Sequence, residues 1–87
     1  MDAIIADLGL AEKLTEFQTK QVWEEAVGPT LAQQTRPLQL RRGRMEVAVP
    51  SAVWRNQIIF MKGEIIAKLN QLMGREVVKD LKLLHRR

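Results

Sequence analysis

RMEVAVPSAVWRNQIIFMKGEIIAKLNQLMG, residues 44–74, reads as a strand, a two-residue corner and a long helix. Met45, Val47 and Val49 alternate with Glu46 and Ala48, the period of two that marks a half-buried strand. Pro50 has no amide to give to a ladder, so it closes the strand. Ser51 follows as an N-cap, its hydroxyl free to accept from an orphan amide of the first turn. From there Trp54, Ile58, Met61, Ile65, Leu69 and Leu72 recur at spacings of four, three, four, four and three. That is one face of a helix of about six turns. Ile59, Ile66 and Met73 widen the face, and Gly74 falls where a left-handed C-cap would stop it. Everything else must pair with this strand or cover this helix.

On the amino-terminal side, Leu38 and Leu40 alternate with Gln39 and Arg41, a first strand. Arg41-Arg42-Gly43-Arg44 is then a tight turn in which Gly43 supplies the positive φ, so residues 37–49 form a β-hairpin. Before it, Arg36-Pro37 ends a short helix over Thr30–Gln34, because the residue preceding proline is pushed out of the helical region. Gly28-Pro29 breaks the chain ahead of that helix, with Pro29 suited to its first turn. Further upstream Leu10, Leu14 and Phe17 keep step on one helix, but Val22, Trp23, Ala26 and Val27 leave that stripe. The helix either rotates its buried face there or kinks. Asp2 can cap a first short helix in which Ile4, Ile5 and Leu8 share a face, ending at Gly9. On the carboxyl side Val77 to Leu84 reads as a third strand, with Leu81 and Leu83 facing in and Lys82 and Leu84 out, before a frayed tail His85-Arg86-Arg87. The expectation is an α+β fold in the order α-α-β-β-α-β, with helices on one face of a three-stranded sheet.

Eighty-seven residues give one domain, 1–87, with no room for a second core. The absence of cysteine removes disulfides, thiolate metal sites and cysteine nucleophiles together. No apolar run approaches the roughly 20 residues of a membrane span. Asp2 and Asp7 stand where a signal peptide would be basic. The chain reads as soluble and cytoplasmic. Its net charge of +4 hides an asymmetry. Residues 1–30 hold six acids and two bases, a net of −4, while residues 31–87 hold four acids and twelve bases, a net of +8. A basic half on a small domain is the footprint of polyanion binding, although a solvated surface would carry the same charges.

Catalytic chemistry is hard to assemble from these residues. The single histidine, His85, lies near a terminus with no carboxylate or cysteine at ligand spacing. No phosphate loop of the G-x-x-x-x-G-K-[ST] type is present, which excludes nucleotide hydrolysis by that route. Glu24 and Glu25 are adjacent on a helix and point about 100° apart, so they do not converge on a substrate. The reading is a binding module with no cofactor and no metal.

Binding chemistry is better supplied. Arg36, Arg41, Arg42 and Arg44 place four guanidinium groups within nine residues with no acid among them. Guanidinium forks match phosphate geometry, and a turn tip can follow a nucleic-acid strand. Lys79, Lys82, Arg86 and Arg87 extend the patch if the third strand lies beside the hairpin. The strands carry no aromatic platform for stacking bases. Trp54, beside Arg55 in the first helical turn, suits either a core position or a partly exposed anchor for a protein partner. Phe60 falls among Asn56, Glu64, Ala67 and Gln71 on the polar side of the helix, where it has no folding rationale. Trp23 packs under the sheet.

Trp23-x-x-x-Val27-Gly28, Leu31-Ala32, Thr35-x-Pro37, Gly43, the strand Met45–Val49, Ser51-x-x-Trp54-x-x-x-Ile58, Leu69-Asn70 and Gly74 form an ordered set. Across nearly the whole chain it resembles the DUF721 domain of the DciA family, bacterial loaders or operators of the replicative helicase. The resemblance implies a KH-like fold, similar to the amino-terminal domain of the initiator DnaA. It also implies binding to the replicative helicase DnaB and to single-stranded or branched DNA, without an ATPase. Trp54 matches the family's tryptophan at the strand-to-helix corner and would touch the helicase, with Arg55 and Phe60 as companions. Trp23 and Gly28 match positions that look structural. The family's usual basic extension has no counterpart among these residues, which form either a minimal member or a part of something longer; if the extension carries affinity, weaker binding by this chain is expected. A monomer is favoured. There is no G-x-x-G loop of the kind with which KH domains grip RNA. The alternative is an RNA- or single-strand-binding module without a helicase partner.

Overall fold

The strand-to-helix corner at Pro50-Ser51 forms as the sequence dictates, and the other described elements pack around it. The computed structural model describes residues 10–85. In order these form α1 (Leu10–Gln21), α2 (Trp23–Val27), α3 (Pro29–Gln34), β1 (Arg36–Arg41), β2 (Arg44–Val49), α4 (Ala52–Met73) and β3 (Asp80–His85). The short helix expected over residues 2–9 lies outside the described residues, as do Arg86 and Arg87.

β2 is the centre of a three-stranded sheet, antiparallel to β1 and parallel to β3. A parallel neighbour needs a crossover, and α4 supplies it. Ser51 caps α4 by accepting from the Trp54 amide, and Gly74 ends it in the left-handed region at φ 78°. The Gly74 and Arg75 amides close the last turn on Gln71 and Asn70 carbonyls. One apolar core joins Met45, Val47 and Val49 of β2, Leu40 of β1 and Leu81 of β3 to Ile58, Ile65 and Leu69 of α4. Trp23, Val27 and Leu31 close it from the side of α2 and α3. The Trp23 indole donates to Thr35 Oγ1 at 3.0 Å, and that hydroxyl donates to the Leu31 carbonyl at 2.7 Å, so its one polar atom is satisfied. The fold is α+β, and its order agrees with the KH-like expectation.

Three expectations need correction, and one open alternative is decided. The Leu10, Leu14 and Phe17 stripe of α1 is exposed, Phe17 at 57%. α1 turns Glu16 and Thr19 inward instead. Glu16 Oε2 accepts from the Leu40 amide at 2.9 Å, covering the outer edge of β1, and the buried Thr19 hydroxyl donates to the Thr15 carbonyl at 2.7 Å. A kink at Val22, with ψ near 3°, resolves the slip in apolar phase and lets α2 start at Trp23. Register shifts between Pro37 and Gln39, so Leu38 is only half-buried while Leu40 is in the core. β3 begins at Asp80 rather than Val77. Val77 and Val78 are buried but irregular, because Asn70 replaces a strand partner. Its Oδ1 accepts from both valine amides at 2.8 Å, and its Nδ2 donates to the Val78 carbonyl at 2.9 Å.

Candidate nucleic-acid interface

The cationic tip is built by the hairpin turn. Arg42 and Gly43 hold φ of 50° and 83°. Positive φ at both central residues is the twist-matched geometry for joining two antiparallel strands. The Gly43 carbonyl then accepts from the Lys79 amide at 2.6 Å and the Asp80 amide at 3.1 Å, so the chain entering β3 is tied to the turn. The Lys79 side chain lies across Gly43, with Cγ 3.0 Å from where a Cβ would stand. Arg41, Arg42, Arg44 and Lys79 thus meet at one end of the sheet.

Strand register sets out the face turned away from the core. Arg41, Arg44 and Asp80 form one row, Gln39, Glu46 and Lys82 the next, and Arg36, Ala48 and Leu84 the last. Arg36 therefore shares the face but lies at the far end from the tip. Glu46 and Asp80 interrupt the cations. Glu46 Oε1 is engaged by Gln39 Nε2 at 2.8 Å, and Asp80 Oδ1 by Lys62 Nζ at 2.6 Å. The Lys62 hydrogen bond, then the Leu81 amide, then the charges of Lys62 and Arg44 hold the Asp80 carboxyl below its ordinary value.

Three cations not expected there from the sequence join the site. Arg55 and Lys62 of α4 line a concavity of about 350 Å³ with Arg44 and Lys82, over Ile59 and Leu83. Arg55, Ile59 and Lys62 recur at spacings of four and three, a signal that was present but lay beside the stronger apolar stripe. On the other side of the tip, Arg42 and Lys79 share a second concavity of about 350 Å³ with Arg75. Arg75 Nη2 is steadied by Thr15 Oγ1 at 3.0 Å. A contact across sixty positions has no local signature.

The three residues expected at a partner surface do not converge. Trp54 is half-buried and packs on the core. Arg55 is half-buried and faces the concavity beside β3. Phe60 is 91% exposed, on the outer line of α4 with Val53 seven residues before it. Six helical positions separate Trp54 from Phe60, which puts them about 120° apart. Among the described residues no cluster of three histidines or acids can hold a metal ion, and no helix is long and apolar enough to cross a membrane.

Residues 1–83 match the family model described as DciA, Dna[CI] antecedent. The chain belongs to the DciA family. A UPF0232 protein of Rhodococcus jostii is 32% identical over 82 residues, which is 94% of this chain and 44% of that protein. A UPF0232 protein of Mycobacterium tuberculosis is 29% identical over 75 residues, 86% of this chain and 40% of that protein. The chain spans less than half the length of these relatives.

Proposed function

We propose that this DciA-family chain is a non-enzymatic replication adaptor of the bacterial cytoplasm, binding single-stranded or branched DNA and the replicative helicase DnaB to promote helicase loading. The observation that carries the DNA half is the meeting of Arg41, Arg42, Arg44 and Lys79 at one rigid tip. These cations would hold backbone phosphates, with Lys82 and Arg36 prolonging the track along the sheet face and Arg86 and Arg87 added from the carboxyl end. The helicase half is carried by family membership and by the half-exposed Trp54 at the β2–α4 corner, with Arg55 and Phe60 as further contacts.

The deciding experiment is a salt titration of labelled oligo-dT, with and without DnaB. Log K should fall with log salt by about 0.7 for each phosphate neutralised on a single strand. Replacing Arg41 and Arg44 by Gln should flatten the slope by about 1.4. An unchanged slope removes the tip from the DNA site. Preference for an RNA oligomer, with no DnaB retained, would favour the reading without a helicase partner.

A further inference from the structure

The two edges of the sheet are treated differently. α1 covers β1, whose Leu40 amide is taken by Glu16. β3 is the other edge strand, and no described strand pairs with its outer side. Alternate residues of an edge strand turn their N–H and C=O groups outward, a template for one more strand. Proteins blunt such edges with proline, bulges or very short strands. β3 runs six residues, DLKLLH, with no proline and continuous register on β2.

α4 turns this edge into a groove. It begins just after β2 ends and lays Lys62 against Asp80, the first residue of β3. Since β3 is parallel to β2, α4 runs back antiparallel along β3. The space between them, about 350 Å³, has an apolar floor of Ile59 and Leu83 and a rim of Arg44, Arg55, Lys62 and Lys82. Asp80 is the single acid there.

We infer that the α4–β3 groove takes an extended acidic peptide segment of a partner protein, added as a fourth strand on β3. An extended chain puts successive side chains on opposite sides, so one set would lie over Ile59 and Leu83 while the other meets Lys82 on the open face. Main-chain hydrogen bonds supply affinity, and the rim selects acids. The charges argue against a second copy of this chain. Pairing β3 with its own counterpart would set two copies of the rim of Arg44, Arg55, Lys62 and Lys82 side by side, which is repulsive.

The test uses the 87-residue chain and a fluorescein-labelled nine-residue peptide alternating glutamate and valine, read by anisotropy at low salt. Saturable binding is expected. A peptide with proline at three of the valine positions keeps the charge but cannot form the ladder, and should bind more than tenfold more weakly. Arg55→Glu with Lys82→Glu should weaken the parent peptide more than tenfold, with the circular dichroism spectrum unchanged. Amide exchange at Leu83 and His85 should slow in the complex. Equal binding of the proline peptide would reduce the effect to charge and overturn the inference. So would absence of peptide binding while oligo-dT still protects the β3 amides, or a dimer in sedimentation that Lys82→Glu dissolves.

Discussion

Arg42 holds a left-handed backbone that L side chains occupy at a cost of roughly 1–2 kcal/mol. A hairpin selected for stability alone would place asparagine or glycine there. Arg42→Gly relieves that cost against a glycine entropy term of roughly 0.5–1 kcal/mol. The variant should be more stable by about 0.5–1 kcal/mol in urea denaturation while losing about 0.7 of salt slope on oligo-dT. A variant that is both less stable and unaltered in DNA binding would show the arginine to be structural. Asp80 gives a second residue-scale outcome. Its carboxyl is held below its ordinary value of 3.8, chiefly by the Lys62 hydrogen bond. A depressed folded pKa stabilises fully above the unfolded value and loses that contribution as pH falls through the folded one. Because Asp80 is solvent-exposed, the effect is small and salt-screened. The stability difference between the protein and Lys62→Met should therefore be constant near neutrality and shrink below pH 3.8, as followed by urea midpoints. A difference that persists to the acid limit would mean that Lys62 stabilises through packing alone.

Elements differ in how far the sequence announces them, and the reason is where their hydrogen bonds go. β2 and α4 are legible because the backbone partners of each are regular, within the helix for α4 and on the two flanking strands for β2, and each shows one apolar period, with Ser51 and Gly74 marking the ends of α4. α1 misleads because its leucine stripe is exposed, while the side it turns inward answers a polar need: an edge amide of β1 wants a carboxylate, and Glu16 provides it. The onset of β3 misleads for a similar reason. Val77 and Val78 carry a strand's composition and burial, but their amides go to a side chain of α4. Asn70 was visible in sequence only as part of a family pattern. Its removal leaves two amides in a buried segment without partners, each costing roughly 1–3 kcal/mol. Asn70→Ala should therefore destabilise by about 2–4 kcal/mol in urea. Asn70→Asp should cost less, since a carboxylate still accepts from both amides, although it sets one oxygen against the Val78 carbonyl in place of the donation. Equal losses in the two variants would assign the effect to cavity formation. The site was legible in part. The arginine run marked the tip and the spacing of Arg55, Ile59 and Lys62 marked one wall of the groove, but Lys79 and Arg75 reach their places by tertiary contacts that no spacing encodes.

At the scale of the molecule the cationic tip and the Trp54 corner lie at opposite ends of β2, with Arg55 in the concavity that it shares with Arg44. Arg44 opens the strand at the tip, and Val49 closes it beside the corner that Trp54 occupies. Five residues of strand span about 17 Å, whereas the screening length at physiological salt is about 8 Å. A charge change at the tip is thus largely unfelt at Trp54, and contacts made through Trp54 should separate from those made at the tip. Arg41→Gln with Arg44→Gln should weaken oligo-dT binding and leave DnaB pull-down intact. Trp54 also packs on the core, so its removal mixes folding with binding. Trp54→Phe keeps most of the apolar contact with the core while withdrawing the indole from the surface, and is the informative variant. It should retain oligo-dT affinity and lose DnaB, and the unaltered chain should hold both ligands in one complex by size exclusion. If either variant weakens both ligands while its urea midpoint is unchanged, DNA and helicase share one surface and the adaptor geometry fails.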